Sequence, residues 1–270
     1  MFFNEHIDSL RLCSTCQSCH IYSFNFLKSS LFTALIWLCN PAPRTPNGFI
    51  SVTILNNGLI LKLAQEDQNQ VQNICTPVSL FAGQILCSPG HTESAKVYFL
   101  ADACVALLVK NQKQNTLAVG LVGSEGAIGL GAILTGTPEN MRFEVQTTGM
   151  AWAAEQADVA LLLHQRPGML WVISQYLWQL TEHVATMAAL AQFNDINTRL
   201  AHWLVLSATR AQSHRLQLTQ EHLAEMLGVR RVSITLSACD LKDRGLIRYQ
   251  RGILEILDMA QLRQMAHHYL

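Results

Sequence analysis

The chain has 270 residues, half of them apolar, and its 19 basic and 19 acidic side chains cancel. That is enough material for a sizeable core, and a prior of about 150 residues per domain suggests two domains. The balanced charge excludes a chain held to nucleic acid by bulk charge alone, while a local basic face stays open.

Residues 1–55 look unlike the rest. They hold Pro41, Pro43 and Pro46, a cysteine cluster, and no sustained period of 2 or 3.6. They read as a poorly ordered leader or as sequence upstream of the true start. The longest charge-free apolar run, Leu31 to Cys39, is too short for a membrane span, which needs about 20 residues. Of the eight cysteines, Cys39, Cys75, Cys87, Cys104 and Cys239 are scattered among apolar neighbours. Scattered thiols suit a reducing compartment, so a cytoplasmic protein is expected.

From Asn57 the pattern firms up. Leu59, Ile60, Leu63 and Ala64 suit a short helix that Glu66 to Ile74 extends. Apolar stretches then alternate with turn residues: Val78–Cys87, Val97–Leu100, Cys104–Val109, Thr116–Val122, Arg142–Gln146 and Met150–Ala154. Strands at this spacing predict an antiparallel, jelly-roll-like β-roll over residues 56–166. Pro167-Gly168 opens a long helix, expected over 167–193. On it Leu170, Ile173, Leu177, Leu180, Val184, Met187 and Ala191 recur at alternating spacings of 3 and 4, the pattern of a dimerisation seam. A further helix, Ile196 to Thr209, follows Asn194-Asp195, either of which can cap it.

Residues 194–270 carry the most specific pattern. Thr219 caps a helix whose buried face is Leu223, Met226 and Leu227, and Gly228 turns the chain. A second helix, about Arg230 to Arg244, buries Ile234, Ala238 and Leu241, and Gly245 ends it. Two short strands joined at Gln250-Arg251-Gly252 make a hairpin, and Asp258 caps a last helix. Arg230, Arg231, Lys242, Arg244, Arg248 and Arg251 fall within 22 residues that hold only Asp240 and Asp243 as acids. A helix read into a major groove needs polar side chains in its first turns, an apolar back, and cations towards the phosphates. The pattern meets this as a winged helix-turn-helix. Expected DNA-facing residues are Thr219, Arg230, Arg231, Ser233, Thr235, Lys242, Arg248 and Arg251, with Arg231 on a base and Lys242, Arg248 and Arg251 on phosphates.

The run Leu218 to Arg231, then Gly245-Leu246-Ile247, Arg251-Gly252-Ile253 and Ile256-Leu257-Asp258, resembles the DNA-binding half of the Crp/Fnr regulators. Phe81 to Gly90 resembles the first strands of that family's cyclic-nucleotide-binding-type β-roll, and Gly123 to Arg142 falls where the roll carries its phosphate-binding cassette. The resemblance implies an α+β fold: N-terminal β-roll sensor, long dimerisation helix, C-terminal winged helix-turn-helix. It also implies a homodimer on a two-fold symmetric operator in double-stranded DNA, with RNA polymerase as a further partner and no enzyme activity. The corresponding effector pocket would use Gly126, Ile128, Gly129 and Arg142. Two departures stand out. Ala127 replaces the family's ribose-binding Glu and Phe143 its Ser/Thr, so cyclic AMP is not expected. The frequent Arg-Glu-Thr-Val-x-Arg of the recognition helix reads Arg231-Val232-Ser233-Ile234-Thr235-Leu236, so the operator should differ.

Cys13, Cys16 and Cys19, followed by His20, leave two alternatives open. Some members of this family hold an iron–sulfur cluster at such a cysteine group, which would make the protein a redox sensor. The fourth ligand is not evident, since the comparable place reads Met150-Ala151-Trp152. A c-type haem would need export. No metal is the expected state. An enzyme on a β-roll is disfavoured, because His91 and His164 are alone between 57 and 165 and no Ser/His/Asp grouping occurs. A ligand-binding module without DNA function is disfavoured by the basic second helix.

Overall fold

The computed structural model describes residues 56–87, 96–110, 116–135 and 141–266, all within one body of the chain, residues 52–270. The cluster Cys13, Cys16 and Cys19 lies outside the described residues.

The described chain begins with a tight helical turn, Ile60–Lys62, and helix α1, Gln65–Ile74. Buried Asn57 anchors this start. Its Nδ2 donates to the carbonyls of Leu100 and Gly126 at 2.8 and 2.7 Å, and its Oδ1 accepts from the amides of Leu59 and Ile60 at 3.1 Å. A buried amide left unpaired would cost about 1–3 kcal/mol; this one is saturated.

Strands β1 (Thr76–Leu80), β2 (Ile85–Cys87), β3 (Lys96–Leu100), β4 (Cys104–Lys110), β5 (Thr116–Val122), β6 (Ala127–Ile128), β7 (Met141–Thr147) and β8 (Gly149–Glu155) follow, with helix α2 (Leu130–Thr135) after β6. They form two antiparallel sheets, ordered β1-β8-β3-β6 and β2-β7-β4-β5. The expected strands are present, with one difference. Val78–Cys87 is two strands in different sheets, separated by a turn at Gly83. Nothing in the sequence reading corresponds to β6 or α2, whose few residues are too short to show a period.

Between the sheets lie Leu80, Leu100, Ile128 and Ala151 from the first and Leu86, Val105, Leu107, Val122 and Val145 from the second. The alternation of β4 sends Cys104, Ala106 and Leu108 to the opposite face. Opposite them in β5, the register slips between Leu107 and Leu108, which pair with Gly120 and Ala118. The extra residue, Val119, lets both Ala118 and Leu121 join that outer face. Every residue from Cys104 to Leu108 is therefore buried, on one side or the other.

Helices α3 (Gln156–Gln165), α4 (Pro167–Phe193) and α5 (Ile196–Ala211) come next. Asp195 caps α5 by accepting from the Thr198 amide at 2.8 Å. The remainder is β9 (Arg215–Gln217), α6 (Gln220–Leu227), α7 (Arg231–Asp243), β10 (Ile247–Gln250), β11 (Ile253–Ile256) and α8 (Met259–Met265). The expected hairpin gains β9 as a third strand, in the order β10-β11-β9. A core around Trp203, Leu204, Leu223, Ile234 and Leu241 runs without a break from these helices onto the outer face of β4 and β5.

Part of the stripe read from the sequence is taken up within the chain itself. Ile173 and Met187 are buried in the chain's own cores, and Leu177 and Leu180 pack against them. The stripe that α4 leaves exposed lies one residue further on: Trp171, Ser174, Trp178, Thr181, Ala185, Ala188 and Gln192. The two stripes have the same spacing. Only packing decides which of them faces inward.

His183 of α4 accepts from the Leu121 amide through Nε2 at 3.3 Å. Burial, reinforced by Arg210 and His202, brings His183 from 6.5 down to about 4. Burial brings His202 from 6.5 to about 4 as well. The folded chain thus keeps both neutral where the unfolded chain takes up protons. Stability should hold above pH 6.5 and fall as the pH drops from 6.5 towards 4. Melting temperatures across that range test this, and His183→Gln, which keeps an acceptor, should make the decline shallower.

Candidate nucleic-acid interface

Thr219 begins the motif. Its Oγ1 accepts from the His222 amide at 3.1 Å and caps α6. Such a cap contributes about 1 kcal/mol. Leu223, Met226 and Leu227 bury one face of α6, and Gly228 ends it at φ 62°, a conformation open to glycine at little strain. The turn Gly228–Arg230 leads into α7, whose inner face is Ile234, Ser237, Ala238 and Leu241. Strands β10 and β11 pair from Ile247–Ile256 to Gln250–Ile253. Their turn is Arg251-Gly252, with φ 50° and 78°. A two-residue hairpin of this kind needs both central residues at positive φ. Arginine is an unusual choice there, and its conformation costs about 1–2 kcal/mol. The result is a long cation held at the wing tip.

The predicted residues lie at the start of α6, on α7 and its N-terminus, and on the wing. Arg230 and Arg231 are exposed at the N-terminus of α7, where its free amides and dipole also favour an anion. Arg231 Nε lies 3.7 Å from Glu221, an exposed pair worth little. Lys242 is exposed, and Arg244 lies 3.6 Å from Asp240. Arg248 pairs with Glu255 at 2.7 Å, and Arg251 stands out in water. Two hydroxyls have other duties. Thr219 caps α6, while Thr235 donates from Oγ1 to Gln220 Oε1 at 2.8 Å and Arg231 O at 3.2 Å. Val232 and Leu236, the two departures noted in the recognition helix, are both exposed on α7.

The Crp-like helix-turn-helix domain family matches residues 198–265, which span α5 to α8. The unit from α5 to α8 is thus a Crp-like helix-turn-helix domain. Solved structures of Crp/Fnr-family regulators share the fold over most of the chain. One assigned to the crp/fnr family, from Eubacterium rectale, aligns with 79% of this chain and 99% of its own at TM-score 0.62 and 13% identity. A CRP-family regulator of Thermus thermophilus aligns with 72% of this chain and 98% of its own, at TM-score 0.60 and 19% identity. CLP of Xanthomonas campestris, a c-di-GMP-responsive global regulator, aligns with 72% of this chain and all of its own, at TM-score 0.60 and 14% identity. No curated protein matches significantly in sequence.

The residues read as an effector pocket are divided between the two sheets. Gly126, Ile128 and Gly129 lie along β6 and its turn, and Ile128 is buried between the sheets. Arg142 is on β7 in the other sheet, where its Nη2 reaches Glu144 at 2.8 Å and Glu225 of α6 at 2.9 Å. It ties the β-roll to the winged-helix unit. The space beside Gly126 is filled by Tyr176 of α4, whose ring a Cβ at Gly126 would overlap. The Tyr176 hydroxyl accepts from the Ala127 amide at 3.1 Å and donates to the Ala127 carbonyl at 2.9 Å. Burial pushes that phenol well above its usual range. Among the described residues no group of three or more His, Cys, Asp or Glu could hold a metal, and no helix is long and apolar enough to cross a membrane.

Two more contacts join the units, neither evident in the sequence. Glu125, in the loop before β6, receives Arg210 of α5 at 2.8 Å. Buried Gln146 of β7 donates to Ser207 of α5 at 2.9 Å. Tyr176 fills the space beside Gly126, and Arg142 is engaged by Glu144 and Glu225. Calorimetry with millimolar cyclic AMP should give no saturable heat; micromolar binding would show that Tyr176 vacates that space.

Proposed function

We propose that this protein is a homodimeric, sequence-specific transcription regulator that acts in the cytoplasm. Its α7 reads a two-fold symmetric operator in double-stranded DNA, and its β-roll alters DNA affinity when it takes up an effector. RNA polymerase is the further partner. The observation that carries the DNA reading is the exposed cationic surface of Arg230, Arg231, Lys242, Arg248 and Arg251 around α7 and the wing. It stands on a unit that matches the Crp-like helix-turn-helix domain. The sensing role is supported by the shared core between β4, β5 and α5, and by the links from Arg142 to Glu225 and from Glu125 to Arg210. An open hollow lined by Thr116 of β5 together with Arg230 and Arg231 puts the β-roll at the edge of the DNA-facing end of α7. A change in the roll therefore has a short route to that helix.

The second copy is expected along α4. Trp171 and Trp178, 70% and 65% exposed, lie on its outward stripe at heptad spacing, and large aromatics left in water favour a partner. Sedimentation should show a dimer, and Trp178→Glu, which would bury two like charges, should shift it to monomer. A monomeric parent chain would remove the dimer from this reading.

A salt titration on operator and on scrambled duplex tests the DNA reading. Arg231→Ala should weaken operator binding by roughly 2–6 kcal/mol, twice the worth of one arginine–guanine pair in a symmetric dimer, and leave scrambled DNA nearly unchanged. Arg251→Ala should weaken both duplexes alike and lower the salt slope by about one unit per protomer. The reverse pattern would make the wing, in place of α7, the sequence reader.

A further inference from the structure

Helix α7 buries Ile234 and Leu241 completely, yet it leaves Val232 and Leu236 68% and 67% exposed. These two side chains are one helical turn apart and so share a face. They stand beside Arg231 and follow the N-terminus of the helix, with Lys242 exposed further along. Arg248 and Arg251 rise on the wing, both exposed. Of the acids on this side, Glu221 faces Arg231, Asp240 receives Asn197 at 3.1 Å and lies near Arg244, and Asp243 is exposed two turns beyond Leu236 on the same face. An apolar pair thus lies on a unit whose exposed side chains include Arg230, Arg231, Lys242, Arg248 and Arg251.

That arrangement complements one surface closely. The floor of a major groove carries thymine methyl groups as its apolar feature, with phosphates on both sides. An apolar protein partner would match the pair and leave those cations uncompensated. Val232 and Leu236 can neither donate nor accept a hydrogen bond, so guanine, cytosine and adenine edges would each lose a water without gaining a partner beneath them. We propose that Val232 and Leu236 are specificity-determining residues that pack on the C5-methyl groups of thymines in each half-site, beside the base read by Arg231. Four residues at 1.5 Å rise are about 6 Å along the helix. With about 3.4 Å between bases of one strand, the two contacted thymines lie within about two base steps of each other. This rests on the reading of α7 as the recognition helix.

The test begins with selection of tight-binding duplexes from a random pool by the full chain. Thymine should be enriched in each half-site next to the position sensitive to Arg231→Ala. Each such thymine is then replaced by uracil, which removes the methyl and leaves every hydrogen-bonding group. One methyl group removed from contact should weaken binding about fourfold, and the same change in both half-sites about sixteenfold. Leu236→Ala and Val232→Ala, at exposed positions outside the core, should bind the thymine and uracil duplexes equally at the affected step. If a tight duplex is selected and uracil is tolerated everywhere, the proposal falls and the DNA reading stands. If both variants keep full affinity for the selected duplex, the apolar pair belongs to a protein surface instead. If no duplex is selected at all, both readings fall.

Discussion

The outer face of the sheet that contains β4 and β5 is the constraint on which the rest depends. Cys104, Ala106, Leu108, Ala118 and Leu121 point away from the interior of the β-roll, and all are almost fully buried. They are covered by the end of α4, by α5 and by the core of the winged-helix unit. Burying apolar surface is worth about 25 cal/mol per Å², and small side chains such as Ala106 and Ala118 allow a helix to come close. The ion pairs at the same boundary, such as Arg210 with Glu125, are half-exposed and worth at most about 1 kcal/mol each. They set the orientation, and the apolar face supplies the adhesion.

This has a consequence for control. Under the sensing role proposed above, this shared face gives an effector a direct route from the β-roll to the helix-turn-helix. Here Arg142, on a strand of the roll, is held between Glu144 of its own strand and Glu225 of α6. Burial raises the Glu144 carboxyl, and the neighbouring Arg142 opposes that rise. A guanidinium shared by two carboxylates across a domain boundary responds to any charge that arrives beside it. Tyr176 plays the matching part on the other sheet, joining α4 to Ala127 through two hydrogen bonds. These two bonds tie helix α4 to the residue that follows Gly126.

Much of this was legible in the sequence, for reasons that can be named. Thr219, Gly228 and Asp258 act locally: a cap or a left-handed turn involves residues within four positions, so the pattern and the structure agree at each. The continuous apolar run from Cys104 to Val109 also carried its own message. A strand with one face in water alternates, whereas a strand covered on both faces does not. The short strand β6 and the strand β9 left no such trace, because two or three residues cannot display a period.

What the sequence by itself determined is most of the helices and strands, with β6, α2, α3 and β9 excepted, and which cations share the winged-helix unit. These follow from local propensity, capping and periodicity. Only the tertiary structure decided which of two equally spaced stripes on α4 turns inward, since a heptad pattern repeats at any starting position. Only it decided that Arg142 meets Glu225, 83 residues further along the chain, and that Gly126 of the expected pocket lies against Tyr176. Such pairings arise when separate elements pack, and no spacing along one element encodes them.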